Sequence, residues 1–253
     1  MAGTSPAMTT LERTSHSRNG TIMSETTPLL ALPLLAAAQA QKHVTHNEAL
    51  ILLDAATQLA VIDRGRNAPP GAPVEGARYL IGAAPTGDWA GHGAEIALYD
   101  SGWLFLTPRA GWRAYVAAER VTLLHDGAGW SDMLAGTPSG GAVTLRAVEQ
   151  EIVLAGAFVA STILIPNRAI CLGVASRTVA AVTGATAYEV GIAGETSKFG
   201  GALSIIAGAS NIGIIGPQAF YADTALRITA IGGAFTGGRV KLALYTLAFT
   251  APV

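Results

Sequence analysis

The sequence predicts a mainly β protein, in which an N-terminal helix and a small β-hairpin domain precede a C-terminal antiparallel β-sandwich, jelly-roll-like, that assembles as a trimer. Half of the 253 residues are hydrophobic and only 13% are charged. The 30 glycines and 12 prolines cut the apolar sequence into short pieces, which favours short strands over long helices. The mean hydropathy of +0.40 is high for a chain without a membrane span, and we expect the excess apolar surface to be buried between subunits.

Charge and cysteine content exclude several classes of function. The net charge is −1 and lysines and arginines do not cluster, so we expect no nucleic-acid partner. The single cysteine, Cys171, lies in an apolar stretch, where it is typical of a small buried hydrophobe, and one cysteine cannot form an intrachain disulfide. The most apolar run, residues 28–38, has about half the length that a membrane-spanning helix needs, and Pro33 interrupts it, so we expect no membrane insertion.

The N-terminal part of the chain begins with a polar leader and continues into a helix. Residues 1–26 are rich in Ser, Thr, Arg and Gly and are predicted to be disordered. Apolar residues recur near helical spacing over residues 39–62, which predicts a helix that Thr45 or Asn47 could cap. The three prolines of residues 67–73 end this helix and predict a stiff connection.

Short strands and tight turns follow the prolines. Turn residues at 100–102 and 126–129 are typical of hairpins. The predicted strands are residues 78–81, 95–99, 103–106, 112–116 and 121–125. We therefore expect residues 27–133 to form an N-terminal helix and Trp-rich β module, residues 134–145 to form a linker of Gly, Pro and Ser composition, and residues 146–253 to form the sandwich.

The C-terminal segment repeats the strand pattern with blander side chains. The predicted strands are residues 161–165, 169–174, 203–206, 225–231 and 239–249. The last one is apolar on both faces: Val240, Leu242 and Leu244 point one way, and Ala243, Tyr245, Leu247 and Phe249 point the other way. A strand of this kind is covered on both faces, either by further layers of the same chain or by another subunit. Together with the low charge of this segment, it predicts a homotrimer.

One polar cluster has metal-ligand residue types. His43 and His46 are three positions apart, with Glu48 and Asp54 nearby. The spacing does not match the zincin pattern and no third ligand lies at a recognised distance. Capping and hydrogen bonds between elements are the alternative, and we expect this helix to be architectural, without metal or other cofactor.

No catalytic residue is predicted. The sequence contains no nucleophile elbow, and the Gly-rich residues 232–238 lack the Lys-Ser/Thr ending of a phosphate-binding loop. Asp100 and Asp126 each precede a glycine in a turn, which is a structural use of aspartate, although proximity in space could make them an acid pair.

The four tryptophans are the remaining candidates for ligand contact: Trp89, Trp103, Trp112 and Trp130. Aromatic faces presented from hairpins can stack on sugar rings. A small β domain with few other large residues also needs tryptophan for its core, and for Trp103, Trp112 and Trp130 we favour the core.

One stretch of the sequence resembles a known family. Residues 39–50 are Gln-Ala-Gln-Lys-His-Val-Thr-His-Asn-Glu-Ala-Leu. Together with Leu-Leu-Ala-Leu-Pro-Leu before them and the Gly-Trp hairpins after them, they resemble a domain of unknown function from alphaproteobacterial prophages and gene transfer agents. The resemblance covers about residues 27–132, and the second half also resembles the C-terminal domain of that family. Proteins of this family look like tail-fibre components of phage-like particles. The resemblance implies a homotrimer and provides no catalytic residue.

The resemblance also implies which end faces the host. The N-terminal module is expected on the particle side, bound to tail or baseplate proteins, so that the C-terminal domain forms the tip. Loop residues of that domain are then the candidates for contact with a host surface polysaccharide, because glycine-rich loops can lift an aromatic ring into solvent. They are Tyr188, Lys198, Phe199, Tyr221, Asp223 and Phe235, with the four tryptophans as the rival sugar platform.

Three functions stay open from the sequence. The first is a structural tail-fibre or receptor-binding protein, made in the bacterial cytoplasm and located in the virion, that attaches a bacteriophage or gene transfer agent to the host surface. The second is a virion-borne enzyme that degrades polysaccharide, and the third is a stand-alone secreted lectin. Because catalytic motifs are absent, we expect the first function and no enzymatic activity.

Overall fold

A computed structural model describes residues 26–35 and 42–253, and the chain divides into two compact units, Met1–Thr107 and Pro108–Val253. Residues 1–25 lie outside the described residues, so the disorder of the leader stays a prediction. Over the described residues, no helix is long and apolar enough to cross a membrane. The mainly β fold with one N-terminal helix is confirmed.

In its described residues, the N-terminal unit contains one helix and five short strands. Its elements are α1 (Lys42–Ala56), β1 (Ala60–Val61), β2 (Arg64–Arg66), β3 (Arg78–Ile81), a 3-10 turn (Gly87–Trp89), β4 (Ile96–Tyr99) and β5 (Trp103–Leu106). Strands β2, β3, β4 and β5 form a sheet in that order, with β2 parallel to β3 and the remaining pairs antiparallel. The hairpin pattern of the sequence therefore predicts β3, β4 and β5 to within one residue.

Helix α1 is shorter than the sequence predicts. It ends at Ala56, and Gln58 has a left-handed φ of 47° that a helix cannot contain. The apolar residues that we assigned to the last turns, Leu59 and Ile62, lie after the end of the helix, where Leu59 is buried and Ile62 is 46% exposed. Apolar residues with similar spacing in a short strand and in a helix cannot be told apart by pattern alone. Residues 39–41 lie outside the described residues.

Two side chains of α1 bind the segment that precedes it. The buried Asp54 carboxylate accepts hydrogen bonds from the backbone N–H groups of Leu29 and Leu30. We expected that Asn47 could cap the helix, but it lies within it. Its side chain accepts a bond from the N–H of Leu35 at 2.9 Å and donates one to the carbonyl of the same residue at 3.1 Å. Polar residues of the helix therefore hold residues 29–35.

Arg78 completes this arrangement from strand β3. Its Nη1 donates to the carbonyl of Ala55 at 2.8 Å, in the last turn of α1. Burial lowers the pKa of the Arg78 guanidinium, and the negative charge of Asp54 opposes that shift. The helix, the preceding segment and the sheet thus meet at one buried carboxylate.

We predict that Asp54→Ala lowers the free energy of unfolding by about 3 kcal/mol, because two backbone donors and a partly buried guanidinium lose their acceptor or counter-charge. Thermal or urea unfolding followed by circular dichroism measures the change. Glu48→Ala, an exposed change on the same helix, serves as the control and should stay within about 0.5 kcal/mol. Equal stability of the two variants would contradict this role of Asp54.

The C-terminal unit begins with a three-stranded antiparallel meander and continues with longer strands. The meander consists of β6 (Arg113–Val116), β7 (Val121–His125) and β8 (Trp130–Ser131). The later strands are β9 (Met133–Gly136), β10 (Ala142–Val153), β11 (Phe158–Ile165), β12 (Ala169–Thr183), β13 (Ala187–Ile192), β14 (Glu195–Leu203), β15 (Ser210–Ala219), β16 (Thr224–Ile231) and β17 (Gly237–Thr250).

Strands β10 to β17 form a jelly roll. One sheet has the order β15-β12-β17-β10, with β9 added beside β10, and the other sheet has the order β11-β16-β13-β14. Successive strands alternate between the two sheets except for β13 and β14, which form a hairpin in one sheet, and this is the interleaved order of a double Greek key. Side chains from both sheets form one core, which includes Cys171 as the sequence predicts. The predicted sandwich is confirmed.

Two predicted segments of this unit have a different structure. Residues 134–145, which we expected to be a linker, contain β9 and the start of β10. The Pro, Ser and Gly residues between them form the hairpin turn, in which the N–H of Thr137 donates to the carbonyl of Gly141 at 2.7 Å and Gly140 has a φ of 81°. Residues 203–206, expected as a strand, begin at the last residue of β14 and continue into a turn. Turn-forming residues suit a linker and a tight hairpin equally well.

Candidate functional surfaces

The loop residues predicted at the tip do not form one site. Tyr188 and Phe199 lie on strands β13 and β14, and both are 2% exposed. Phe235 is also buried, and its backbone exchanges two hydrogen bonds with that of Gly156. The expectation that these three rings are exposed is therefore wrong. Because the chain has only six Phe and six Tyr, the jelly roll uses these large side chains to fill its core.

The other three predicted tip residues lie at the surface or near it. Tyr221 is 82% exposed. Asp223 is exposed and accepts a hydrogen bond from the N–H of Asn167 at 2.7 Å, so that it orders a loop. Lys198 forms an ion pair with Glu195 at 2.8 Å, and its side chain is mostly covered. Of the six residues, Tyr221 alone has the exposed aromatic ring that we expected.

The strongest surface feature of the C-terminal unit is the outer face of the larger sheet. Strand β17 is the central strand: Val240, Leu242 and Leu244 point into the core, as the sequence predicts, while the alternate residues point outward. The outward residues align across four strands because Cα partners in an antiparallel pair share a face. One row contains Ile214, Gly173, Tyr245 and Ala147, and the next contains Ile212, Ala175, Ala243 and Glu149.

We call this surface the outer sheet face; it has an apolar half and a charged half. Ile212 and Ile214 are 75% and 79% exposed, and Leu145 and Phe249 extend the apolar half across β10 and β17. The charged half contains Arg177, Lys241, Arg239, Glu149 and Glu151. Arg239 binds Glu151 at 2.9 Å and Lys241 lies 3.6 Å from Glu149, so the charges of this half are largely paired. A large exposed apolar patch with a polar rim is typical of an interaction surface.

The N-terminal unit contains an open groove between its proline segment and the β4–β5 hairpin. The groove encloses about 640 Å³ and is lined by Pro69, Pro70, Gly71, Pro73, Asp88, Tyr99, Gly102, Trp103 and Phe105. Trp103 and Phe105 are two positions apart on β5 and therefore share one face of the sheet, and Tyr99 is the Cα partner of Trp103 on β4. We call this feature the proline–aromatic groove.

Contacts with neighbouring rings hold the aromatic side of this groove. The ring centroids of Trp103 and the fully buried Trp89 are 5.1 Å apart with a near-perpendicular interplanar angle of 86°. Tyr99 packs edge-on against Trp103 at 5.1 Å. Phe105 stacks on the His92 ring with the centroids 3.5 Å apart. The half-buried Trp103 is therefore both a support of the core and a wall of the groove.

The proline side is held by one asparagine. The Asn67 carbonyl accepts bonds from the N–H of Thr86 at 2.7 Å and from its hydroxyl at 3.1 Å, and the Asn67 side chain accepts one from the N–H of Ala84 at 3.3 Å. Proline fixes φ, so the wall that follows Asn67 has little freedom. The residues predicted only to end the helix are thus part of a surface feature.

The four tryptophans are divided between the two units. Trp89 is a core residue, Trp103 lines the groove, and both belong to the N-terminal unit. Trp112 and Trp130 are half-buried in the C-terminal unit, where the Trp130 ring packs against His125 with the centroids 5.0 Å apart. The sequence identified Trp103 as a candidate but missed Tyr99, Phe105 and Asp88, because cross-strand partners are not visible in local spacing.

The two aspartates considered as an acid pair have different surroundings. Asp126 accepts hydrogen bonds from the N–H groups of Ala128 and Gly129, both at 2.8 Å. These bonds lower the pKa of its carboxyl group, and the bond from Gly129 has the largest effect. Burial raises the pKa of Asp100, and the charge and hydrogen bond of Glu75 raise it further. Asp100 is thus paired with Glu75, whose oxygens both accept from the N–H of Ser101 at 3.0 Å.

The geometry of the Asp100–Glu75 pair differs from that of a glycosidase. Carboxyl groups that share a hydrogen bond are closer together than the roughly 5 Å that a retaining glycosidase needs and the roughly 6.5–9.5 Å of an inverting one. Asp100 and Glu75 therefore both belong to the turn at Ser101.

The proposed metal ligands on α1 are also separated. His46 and Glu48 are exposed, whereas Asp54 binds the preceding backbone. The side chain of His43 lies outside the described residues. Throughout the part of the chain that the structure describes, no group of three or more His, Cys, Asp and Glu side chains could hold a metal ion. The absence of metal from the helix stays a prediction.

We predict that Asp100→Asn makes the chain slightly more stable at neutral pH. The raised pKa of Asp100 means that the folded state holds its proton more strongly than the unfolded state does. Ionisation above that pKa therefore costs stability, and the cost disappears as the pH falls below it. Because solvent screens this partly exposed group, we expect a gain of about 0.5 kcal/mol in thermal unfolding at pH 7 and almost none near pH 3.

Asp126→Asn is the matched control with the opposite sign. Because folding lowers the pKa of the Asp126 carboxyl group, the ionised group stabilises the folded chain at pH values above the usual pKa of aspartate. That stabilisation is lost as the pH falls through the folded pKa. The substitution should therefore lower the melting temperature at neutral pH and have no effect in acid. A loss of stability at pH 7 in both variants would contradict the assignment of Asp100.

Comparisons with known proteins find similarity over parts of the chain. No curated protein matches the sequence. Among solved structures, a chain described as "Cyanophage Pam1 capsid asymmetric unit" is similar at 18% identity and a TM-score of 0.34, over 46% of this chain and 92% of that one. Residues 46–131, about a third of the chain from α1 to β8, match the model of the family described as "Protein of unknown function (DUF2793)".

Proposed function

We propose that this chain is a structural component of a phage-like particle, a self-associating tail-fibre or receptor-binding protein that attaches the particle to a host surface polysaccharide. The observation that carries the proposal is the apolar half of the outer sheet face, with Ile212 and Ile214 largely exposed on an ordered strand. The resemblance of residues 27–132 to a prophage and gene-transfer-agent domain supports the particle context, and the family match over residues 46–131 agrees with the location of that resemblance.

The chemistry of the outer sheet face suits a second copy of the same chain. Gly173, Ala175 and Ala243 form a strip of small residues between the isoleucines of β15 and the side chain of Tyr245. Another sheet can approach such a strip closely, at the roughly 10 Å of packed β-sheets. Large side chains of one copy then fit over small side chains of the next. We propose a homotrimer, the assembly that the resemblance implies.

The charged half favours a defined orientation of the copies. Three cationic and two anionic side chains lie at one end of the same face, so a rotated or shifted neighbour would bring charge onto the isoleucines. Burying an unpaired charge against an apolar surface is costly. Segregation of charged and apolar residues on one face thus limits the ways in which copies can associate.

A polysaccharide-degrading enzyme is the less well supported alternative. Its motivation from the sequence was Asp100, Asp126 and the Trp-rich turns. Asp126 orders its own turn, and Glu75 beside Asp100 accepts from the N–H of Ser101, so both aspartates have the structural role in turns that the sequence indicates. We therefore propose attachment without catalysis.

The self-association prediction is tested with Ile214→Glu. The wild-type chain should scatter light as a trimer at micromolar concentration, and the variant should be a folded monomer, with association weakened at least a hundredfold by the buried charge. Ile206→Glu is the matched control, since Ile206 is 70% exposed in the turn after β14, away from the aligned rows of the sheet. A wild-type monomer, or equal loss in both variants, would count against the proposal.

The particle context is tested by immunogold labelling. Antibody raised against the chain should decorate the tails of particles induced from the source bacterium. Labelling confined to the particle head, or particles that lack the chain altogether, would overturn the tail assignment.

A further inference from the structure

We infer that the proline–aromatic groove of the N-terminal unit binds a neutral saccharide ring. The inference deepens the proposed function, on which it rests for its biological context, and it assigns the polysaccharide contact to the N-terminal unit instead of the loops of the sandwich. Three features of the groove support it: its aromatic wall, its fixed proline wall and the single charge between them.

The aromatic wall has the chemistry that a sugar ring recognises. A pyranose has a face of C–H groups that packs on an aromatic ring, and a rigid ring loses little conformational entropy on binding. Trp103, Tyr99 and Phe105 line one side of the groove. Edge-to-face contacts with Trp89 and Tyr99 fix the Trp103 indole, and the His92 ring supports Phe105 from behind. The surface is therefore formed before the ligand arrives.

The size and openness of the groove suit one or two rings of a longer chain. Its volume of about 640 Å³ lies within the range of roughly 300–1,000 Å³ found for small-molecule sites. The opposite wall, Pro69, Pro70 and Pro73, has no backbone N–H groups and a fixed shape. Because the groove is open to solvent, a ring within a polysaccharide chain can enter it, and the chain end is not required.

The charge of the groove selects a neutral saccharide. Asp88 is exposed on the 3-10 turn and is the one ionised side chain among the lining residues. Its carboxylate can accept bonds from two neighbouring hydroxyl groups of a sugar. No lysine or arginine lines this part of the described chain, so a phosphate, sulfate or uronate would meet a negative charge without a compensating cation. We therefore assign neutral hexoses and their oligomers as the ligand class.

A proline-rich peptide is the other occupant that an aromatic groove can hold. Such grooves bind the peptide by parallel aromatic ridges and a donor to its carbonyl groups. Here the opposite wall is itself proline, which donates no bond, and the one acidic side chain, Asp88, cannot bind the carbonyl groups of such a peptide. The Trp103 indole N–H and the Tyr99 hydroxyl can donate to either ligand and do not distinguish them. The carboxylate is suited to hydroxyl donors, so the saccharide is favoured and the peptide becomes an outcome of the test.

The test uses the full-length protein and saturation-transfer NMR with maltose, cellobiose, lactose and diacetylchitobiose as neutral probes, glucuronate as the anionic probe and decaproline as the peptide probe. At least one neutral probe should receive saturation on its ring C–H protons, with a dissociation constant on the order of millimolar. Glucuronate should receive much less. Binding of decaproline without any neutral probe, or no transfer to any neutral probe, overturns the inference.

Three substitutions at two positions locate the site. Asp88→Asn should weaken the neutral saccharide about tenfold through loss of charged hydrogen bonds, and Asp88→Lys should shift preference toward glucuronate. Trp103→Phe keeps an aromatic core side chain but shortens the platform, and should weaken binding several-fold. Trp112→Phe is its matched control outside the groove and should have no effect. Saccharide binding that all four variants retain would overturn the groove assignment.

The failure of this inference is distinguishable from failure of the proposed function. Tail labelling and trimer formation with no saccharide transfer would leave the particle role intact and remove only the groove. Saccharide binding by a chain that is absent from particles would leave the groove intact and support the stand-alone lectin instead.

Discussion

The two-residue period of strand β17 links the core of the sandwich to its outer surface. Val240, Leu242 and Leu244 fill the core, so the residues between them must face outward. Because β17 pairs with β10 on one side and β12 on the other, it fixes the register of both neighbours. A shift by one residue would bury Lys241 and expose leucine. The outer sheet face is therefore a direct consequence of how the core is packed.

Local pattern predicted those parts of the fold in which neighbours in sequence determine the structure. The alternation over residues 239–249 predicted both faces of β17, and the turn residues predicted the hairpins of the N-terminal unit. The sequence predicts helix α1 too long because Leu59 and Ile62 have spacing that suits a helix but lie after its end. The jelly-roll class followed from composition and strand spacing, whereas the strand order depends on contacts between distant residues.

The candidate surfaces were harder to predict than the fold. The proline–aromatic groove joins residues 69–73 to Trp103 and Phe105, and it depends on the cross-strand pair of Tyr99 and Trp103. The exposure of Ile212 and Ile214 is not predicted by the sequence, since two isoleucines two positions apart are usual for a buried strand. Tyr188 and Phe199 were assigned to loops because nearby glycines suggested turns. A chain poor in aromatic residues uses them in its core first, and this consideration outweighs the local signal.

Strand β15 has an open edge, which has a consequence for the free chain. An exposed edge presents unpaired backbone groups to any other strand, and it is most prone to pairing when its side chains are also apolar. Pro217 lies in the irregular stretch between the Gln218 and Ile214 pairs, where it removes one backbone donor and accompanies a bulge. The edge is thus interrupted near its end but not beside Ile212 and Ile214. A newly made chain whose outer sheet face is still uncovered therefore has a tendency toward fibrillar aggregation on this strand, and the self-association that we propose would have to follow synthesis closely.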